Sequence, residues 1–309
     1  MKKKTMLSIL LMLLLLISAC SKDDNKNETK ENSEETEDIE TITYESENGP
    51  IEVPADPQRV VVLSTFVGDV LQLDVPVVGA DSWSMDNPNF ADQLKEAEEV
   101  SDESIEKILD LNPDLIIGLS TMKNLDKLSE IAPTVTFTYG ELDYLEQHIA
   151  IAKAVNKEEE ATESAKDFKK RAANIGEKIK DKIGKNATVS VIENFDKQLY
   201  VYGDNWARGT EILYQAMGLN MPEKVKEQVQ KEGYYAISTE VVSDFAGDYI
   251  VLSHDQEKDK NFLDSDIIKD LPAVKNDQVL DVDLQRFAFN DAKSLEYQLE
   301  FFKDYFLDE

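Results

Sequence analysis

Lys157 to Ile183 reads KEEEATESAKDFKKRAANIGEKIKDKI, and this stretch decides the fold. It is continuous, free of proline, and dense in Glu, Lys and Ala, with Gly176 its only breaker. Apolar residues at Ala161, Ala165, Phe168, Ala172, Ile175 and Ile179 recur at helical spacing. The pattern predicts a helix of about 25 residues, where helices of ordinary α/β domains average about 11–12.

On both sides of it, strands alternate with helices. Arg59-Val60-Val61-Val62-Leu63, bounded by Pro54, Pro57 and Ser64-Thr65, reads as a buried strand. Val75–Gly79 is a short strand, Ser104–Leu111 a helix halted near Asn112-Pro113, and Leu115–Leu119 a second buried strand. Thr134–Thr138 reads as a strand and Leu142–Val155 as a helix. After Gly184 the alternation restarts with Ala187–Ile192, followed by strands at Tyr249–Leu252 and Val279–Val282. Such alternation predicts α/β units with a mainly parallel sheet. Two α/β lobes, residues 49–156 and 185–309, joined by a helix over 157–184, is the simplest account.

The chain opens with Lys2, Lys3 and Lys4, an apolar run from Met6 to Ile17, then Ile17-Ser18-Ala19-Cys20. A basic start, an apolar core too short to span a bilayer and small residues before a cut site make a secretory signal over residues 1–19. Ending on cysteine, the segment resembles the lipobox of bacterial lipoproteins. That implies cleavage before Cys20 and a diacylglyceryl group on its sulfur. Residues 20–48 are acidic and polar, a composition that predicts a disordered tether.

The net charge is −30. Removing the basic leader makes the remaining chain slightly more negative. Nucleic acid is excluded as a partner, since phosphate neutralisation needs a basic face. Cys20 is the only cysteine, so disulfides and Cys-based zinc sites are absent. With only His148 and His254, no multi-histidine metal site is available, and each is expected to be structural or exposed. Gly118-Leu119-Ser120-Thr121-Met122 lacks the last glycine of a nucleophile elbow, and neither GxGxxG nor a P-loop occurs. Nothing supports an enzyme or a cofactor.

The most unusual stretch is Tyr200-Val201-Tyr202-Gly203-Asp204-Asn205-Trp206-Ala207-Arg208-Gly209. Glycine, aspartate and asparagine mark a tight turn, yet it carries a tryptophan and an arginine. Aromatic planes and a guanidinium at a loop tip supply what a binding cleft uses: apolar area and fixed donors for acceptor oxygens. The same residues also suit a purely local role, with Trp206 anchoring its own loop and Arg208 paired to a nearby carboxylate.

Gly49 to Val61, the run Ser104-Ile105-Glu106-Lys107-Ile108-Leu109-Asp110-Leu111-Asn112-Pro113-Asp114-Leu115-Ile116-Ile117, and the loop above together carry a resemblance. The chain resembles the substrate-binding proteins that deliver iron siderophores, haem or cobalamin to ABC importers. Within that class, Phe195 to Gly209 resembles the FhuD-type binders of ferric hydroxamates, and the likeness runs from about Gly49 to the C-terminus. It implies two Rossmann-like lobes joined by one long rigid helix, the class III arrangement, with ligand held between the lobes. Trp206 and Arg208 would face the ligand, with Arg208 donating to iron-bound hydroxamate oxygens and Tyr200 adding an aromatic wall. Glu106, and Glu240 in Ile237-Ser238-Thr239-Glu240, would dock on arginines of the permease.

Near the C-terminus the family's aromatic-rich turn reads Arg286-Phe287-Ala288-Phe289-Asn290-Asp291. Alanine stands where relatives often carry a large ring, which implies a cleft wider or differently shaped on this side, with Phe287 a wall and Arg286 an extra donor. Trp83 and Tyr139, on loops of the first lobe, are the opposite walls. Iron enters only through the siderophore, with no metal ligated by the protein. The resulting expectation is a monomeric binding protein on the outer face of the membrane of a cell with no outer membrane. It captures a ferric hydroxamate siderophore of the ferrichrome or ferrioxamine type and passes it to an ABC permease with a cytoplasmic ATPase. A carboxylate-type siderophore, haem or cobalamin are the alternative ligands. An adhesion or structural lipoprotein is the alternative of another class.

Overall fold

The computed structural model describes residues 40–256, 258 and 266–308. The leader, Cys20 and the tether up to residue 39 lie outside the described residues.

The chain enters the fold through a hairpin of β1 (Thr41–Ser46) and β2 (Gly49–Pro54), paired antiparallel from Thr41 against Pro54 to Ser46 against Gly49. This corrects the expected tether, whose last residues are a strand. Ile42 and Tyr44 alternate with polar neighbours and pack on the first-lobe core, a period-two signal masked by the acidic composition around it.

The first lobe contains β3 (Val60–Leu63), α1 (Val67–Gln72), β4 (Val77–Ala80), β5 (Glu98–Glu99), α2 (Ile105–Leu111), β6 (Leu115–Leu119), β7 (Thr134–Phe137) and α3 (Tyr144–Ala154). Its strands lie in the order β5-β4-β3-β6-β7, all parallel. Every residue of β3 is buried, because a central parallel strand is covered on both faces. A capping box starts α3: Asp143 accepts from the Glu146 N–H, while the Glu146 carboxylate accepts from the Asp143 N–H.

The long helix α4 runs over Glu158–Ile183, 26 residues and about 39 Å at 1.5 Å per residue. Its buried stripe is the apolar set read from the sequence, joined by Gly176. Gly176 breaks nothing. A Cβ there would fall 2.2 Å from the Met217 carbonyl oxygen, so glycine lets the segment Glu211–Ala216 close onto the helix.

The second lobe holds β8 (Val189–Phe195), β9 (Gln198–Tyr202), β10 (Tyr234–Ile237), β11 (Tyr249–His254) and β12 (Val279–Asp283), in the order β10-β9-β8-β11-β12. Here the sheet is mixed. Strands β8, β11 and β12 are parallel, but β9 runs antiparallel to both neighbours. Asp196 and Lys197 both take left-handed φ (48° and 66°), the geometry of a two-residue hairpin turn.

The final helix α5 (Ala292–Leu307) packs Leu295, Leu299, Phe302 and Phe306 into the second-lobe core, while its N-terminal end reaches the first lobe. Phe289, just before it, belongs to the first-lobe core and stacks on Phe90, with centroids 6.1 Å apart and planes 2° apart. The Ala292 N–H donates to Asp69 of α1 at 3.0 Å. The last segment thus ties the second lobe to the first at a point separate from the long helix. Two α/β lobes joined by a single long helix remain the architecture. Among the described residues, no helix is long and apolar enough to cross a membrane.

Candidate functional site

Glu193 lies near the end of β8, a carboxylate just after Val191 and Ile192, and is 1% exposed. Four donors converge on it. Arg208 gives Nε at 3.0 Å and Nη2 at 3.1 Å, the Tyr202 hydroxyl donates at 2.8 Å, and the Ser253 hydroxyl at 3.0 Å. Removing a carboxylate from water is costly, and only a full set of donors with a counter-charge offsets that cost. The fork geometry of arginine suits the task.

Arg208 also donates Nη1 to the Trp206 carbonyl at 3.2 Å, and its Cζ stacks over the Tyr202 ring at 4.9 Å. Burial works against the guanidinium charge, but the Glu193 carboxylate outweighs it and the arginine pKa rises. Three of the five N–H groups are committed, which leaves two for a ligand. Burial likewise drives the Tyr202 phenol well above its ordinary pKa, so it stays a neutral donor.

The loop holding Arg208 is strained. Ala207 and Arg208 are both left-handed, with φ of 55° and 57°, a conformation that costs roughly 1–2 kcal/mol per non-glycine residue. Neighbours over-determine it. The Arg208 N–H donates to the Phe287 carbonyl at 2.8 Å, the Ala207 N–H to the Glu211 carboxyl at 2.9 Å, and the Trp206 N–H to the Thr210 hydroxyl at 3.1 Å. Glu211 is fully buried, and its pKa is raised by that burial. The Asn290 amide also donates to it, at 2.9 Å.

Trp206 joins a wall of rings. Tyr234 meets it edge-on at 4.9 Å, and Tyr202 lies 6.5 Å away. Tyr200 lies 6.4 Å from Tyr202 and 6.2 Å from Tyr234. Period two puts Tyr200 and Tyr202 on one face of β9, and the register sets Tyr234 opposite Tyr202. Behind the wall is a hollow of about 770 Å³, lined by second-lobe residues from Gly203 to Gly233, including Trp206 and Tyr214.

Trp83 and Phe195 face each other across the lobes, with centroids 6.3 Å apart and both residues exposed. Between the lobes they line a cavity of about 580 Å³ with Asn194, Lys197, Leu284 and others. Tyr139 is 58% exposed on the first-lobe rim. Desolvation raises the pKa of its phenol, the Glu211 charge adds to this, and Arg208 opposes it, which places Tyr139 within electrostatic reach of the arginine.

Trp206, Arg208 and Tyr200 therefore come together, with Trp83 and Tyr139 on the opposite lobe. The local reading of the loop holds: Arg208 pairs with a carboxylate, and that pairing fixes it beside the wall of rings. Two expected cleft residues are corrected. Phe287 is 1% exposed and packs in a ring cluster with Tyr297, Phe301 and Phe302, so only its carbonyl serves the site. Arg286 is an interlobe clasp. It donates Nη1 to the Asn89 side-chain oxygen at 2.8 Å and accepts the Asn89 amide on its own carbonyl at 2.9 Å. Ala288 packs against the first-lobe core.

Glu106, on α2, and Glu240, on the turn Thr239–Val241, are both exposed, one on each lobe. His148 and His254 are buried, against Asp69 at 3.0 Å and Asp281 at 2.6 Å, which makes both structural. No cluster of metal ligands exists among the described residues. Glu193, Tyr202, Tyr234 and Glu211 were not singled out from the sequence. A glutamate inside the run Val189–Phe195 was the one available signal.

Known proteins resemble this chain in sequence and in fold. Residues 60–285 match the family model described as periplasmic binding protein. The iron(3+)-hydroxamate-binding protein FhuD of Bacillus subtilis (strain 168) is 38% identical over 284 residues, covering 90% of each chain. The solved structure of the FhuD protein from S. pseudintermedius superposes with a TM-score of 0.76 at 35% identity, covering 87% of this chain and 99% of that one. FhuD2 from Staphylococcus aureus with bound ferrioxamine B also gives 0.76, at 33% identity, covering 82% of this chain and 99% of that one. This protein belongs to the periplasmic binding protein family, whose members bind solutes for transport and are not enzymes.

Proposed function

We propose that the protein captures a ferric hydroxamate siderophore outside the cell and delivers it to the permease of an ABC importer. The observation that carries this reading is Arg208, clamped by Glu193 beside the rings of Tyr200, Tyr202, Trp206 and Tyr234, with donors left over. A hydroxamate complex offers acceptor oxygens on an apolar body, and this combination of donor and wall matches it. The relative with bound ferrioxamine B supports the same ligand class. In this reading Trp83 and Tyr139 close the ligand in from the first lobe.

The protein works as a monomer. Lipid on Cys20, in Ile17-Ser18-Ala19-Cys20, holds it on the outer face of the membrane beside its permease. Glu106 and Glu240 meet arginines of that permease. Fluorescence tests the ligand: a ferric centre beside Trp206 quenches its emission. Quenching by micromolar ferrichrome or ferrioxamine B is the expected result. Quenching by haem or ferric citrate alone would reject the hydroxamate assignment.

A further inference from the structure

We propose that Glu193 sets the charge preference of the cleft: by neutralising Arg208 it makes the site favour ferric complexes of zero or positive charge over anionic ones. This deepens the siderophore reading and rests on it. Glu193 is 1% exposed, whereas the Arg208 side chain is 21% exposed. The arginine thus presents an edge to the cleft with a carboxylate directly behind it, at 3.0 and 3.1 Å. A ligand meets N–H donors but no net charge. The other charged groups of the cleft add no positive excess: the interlobe cavity sets Lys197 and Lys258 against Asp86, Asp196 and Asp255. Arg286 is committed to Asn89 and stacks over Tyr297 at 5.2 Å. The Glu211 carboxyl is buried behind the loop.

Three hydroxamate anions cancel the charge of Fe³⁺, so such complexes are neutral, or cationic when they carry an extra ammonium. They lose little at a neutral donor edge. Ferric citrate is anionic and gains its affinity from uncompensated arginines or lysines. Conformational holding alone would need only hydrogen bonds. A full carboxylate buried against the one arginine of the ring wall has a consequence for charge as well.

The test compares dissociation constants for ferrioxamine B, ferrichrome and ferric citrate, read by tryptophan quenching, in wild type, Glu193→Gln and Tyr202→Phe. Glutamine keeps the shape and an acceptor but removes the charge. In Glu193→Gln the preference for ferrioxamine B over ferric citrate should fall about tenfold, the scale of one unit charge several ångströms away at an effective dielectric of ~20, discounted for water. Tyr202→Phe removes a donor to Glu193 but keeps its charge, so it should weaken all three ligands alike. An unchanged preference in Glu193→Gln overturns the proposal, as does an equal shift in Tyr202→Phe. If wild type binds no hydroxamate, the siderophore reading itself fails, and that outcome is read without any variant. Should Glu193→Gln not fold, ¹⁵N spectra of wild type decide. The Arg208 Nε–H signal should stay protected when the gallium analogue of ferrioxamine B is added, and loss of protection would mean that arginine leaves Glu193 on binding and overturn the proposal.

Discussion

The Trp206 indole nitrogen occupies the space beside the Gly233 Cα: a Cβ on Gly233 would lie 1.7 Å from it. Gly233 also has φ of +76°, a region that disfavours side chains, and it accepts the Gly203 N–H at 2.7 Å. Gly233→Ala is therefore expected to displace the indole. Siderophore affinity should fall by on the order of tenfold or more, as misplacing a contact by an ångström does. A shifted tryptophan emission maximum in the free protein is the check, and unchanged emission would show that the ring has not moved.

Arg208→Ala removes the counter-charge of a buried carboxylate and leaves Glu193 with the hydroxyls of Tyr202 and Ser253. Loss of one partner of such a pair costs about 3 kcal/mol, the low end for buried pairs because this arginine is partly exposed. Hydroxamate binding should be lost and the thermal midpoint lowered. Adding Glu193→Gln should recover the midpoint without recovering binding. Calorimetry with a ligand titration separates the two effects.

Asp291, which caps α5, is 3% exposed and lies within electrostatic reach of Asp69, whose carboxylate also meets His148 and the Ala292 N–H. Burial, and next the charge of Asp69, push its carboxyl up to about 7. A raised carboxyl favours the folded state while protonated, so its contribution is full below its ordinary value of 3.8 and is lost as pH rises through about 7. This group should make stability decline between about pH 4 and 7. Asp291→Asn keeps the cap's acceptor oxygen and should flatten that decline. Thermal midpoints across this range test it, and a variant as pH-dependent as wild type would rule it out.

Glu106 and Glu240 sit on different lobes, and both are exposed. The double variant Glu106→Ala with Glu240→Ala should bind siderophore as wild type does yet fail to support iron uptake by cells. Weakened binding in the purified protein would contradict a docking role.

The apolar spacing of α4 made the architecture legible. A 26-residue stripe can be satisfied only by neighbours along its whole length, and the alternating runs on either side supply them. The loop from Tyr200 to Arg208 was legible for the same local reason: a turn carrying a tryptophan and an arginine departs from what turns need. Phe287 and Arg286 were not separable this way. Adjacent in the chain, they point into a ring cluster and across to Asn89, and only the packing of α5 settles which does which.

The sequence alone therefore determined the two α/β lobes, the bridging helix and the loop that carries Trp206 and Arg208, because periodicity and turn chemistry are local. Tertiary structure decided what Arg208 faces. Glu193 precedes it by fifteen positions, Ser253 follows by forty-five, and Tyr202 stands across the turn. It also decided that Phe289 and Asp291 tie the second lobe to the first. Burying a charge requires donors from several strands at once, and no single stretch of chain records which strands will meet.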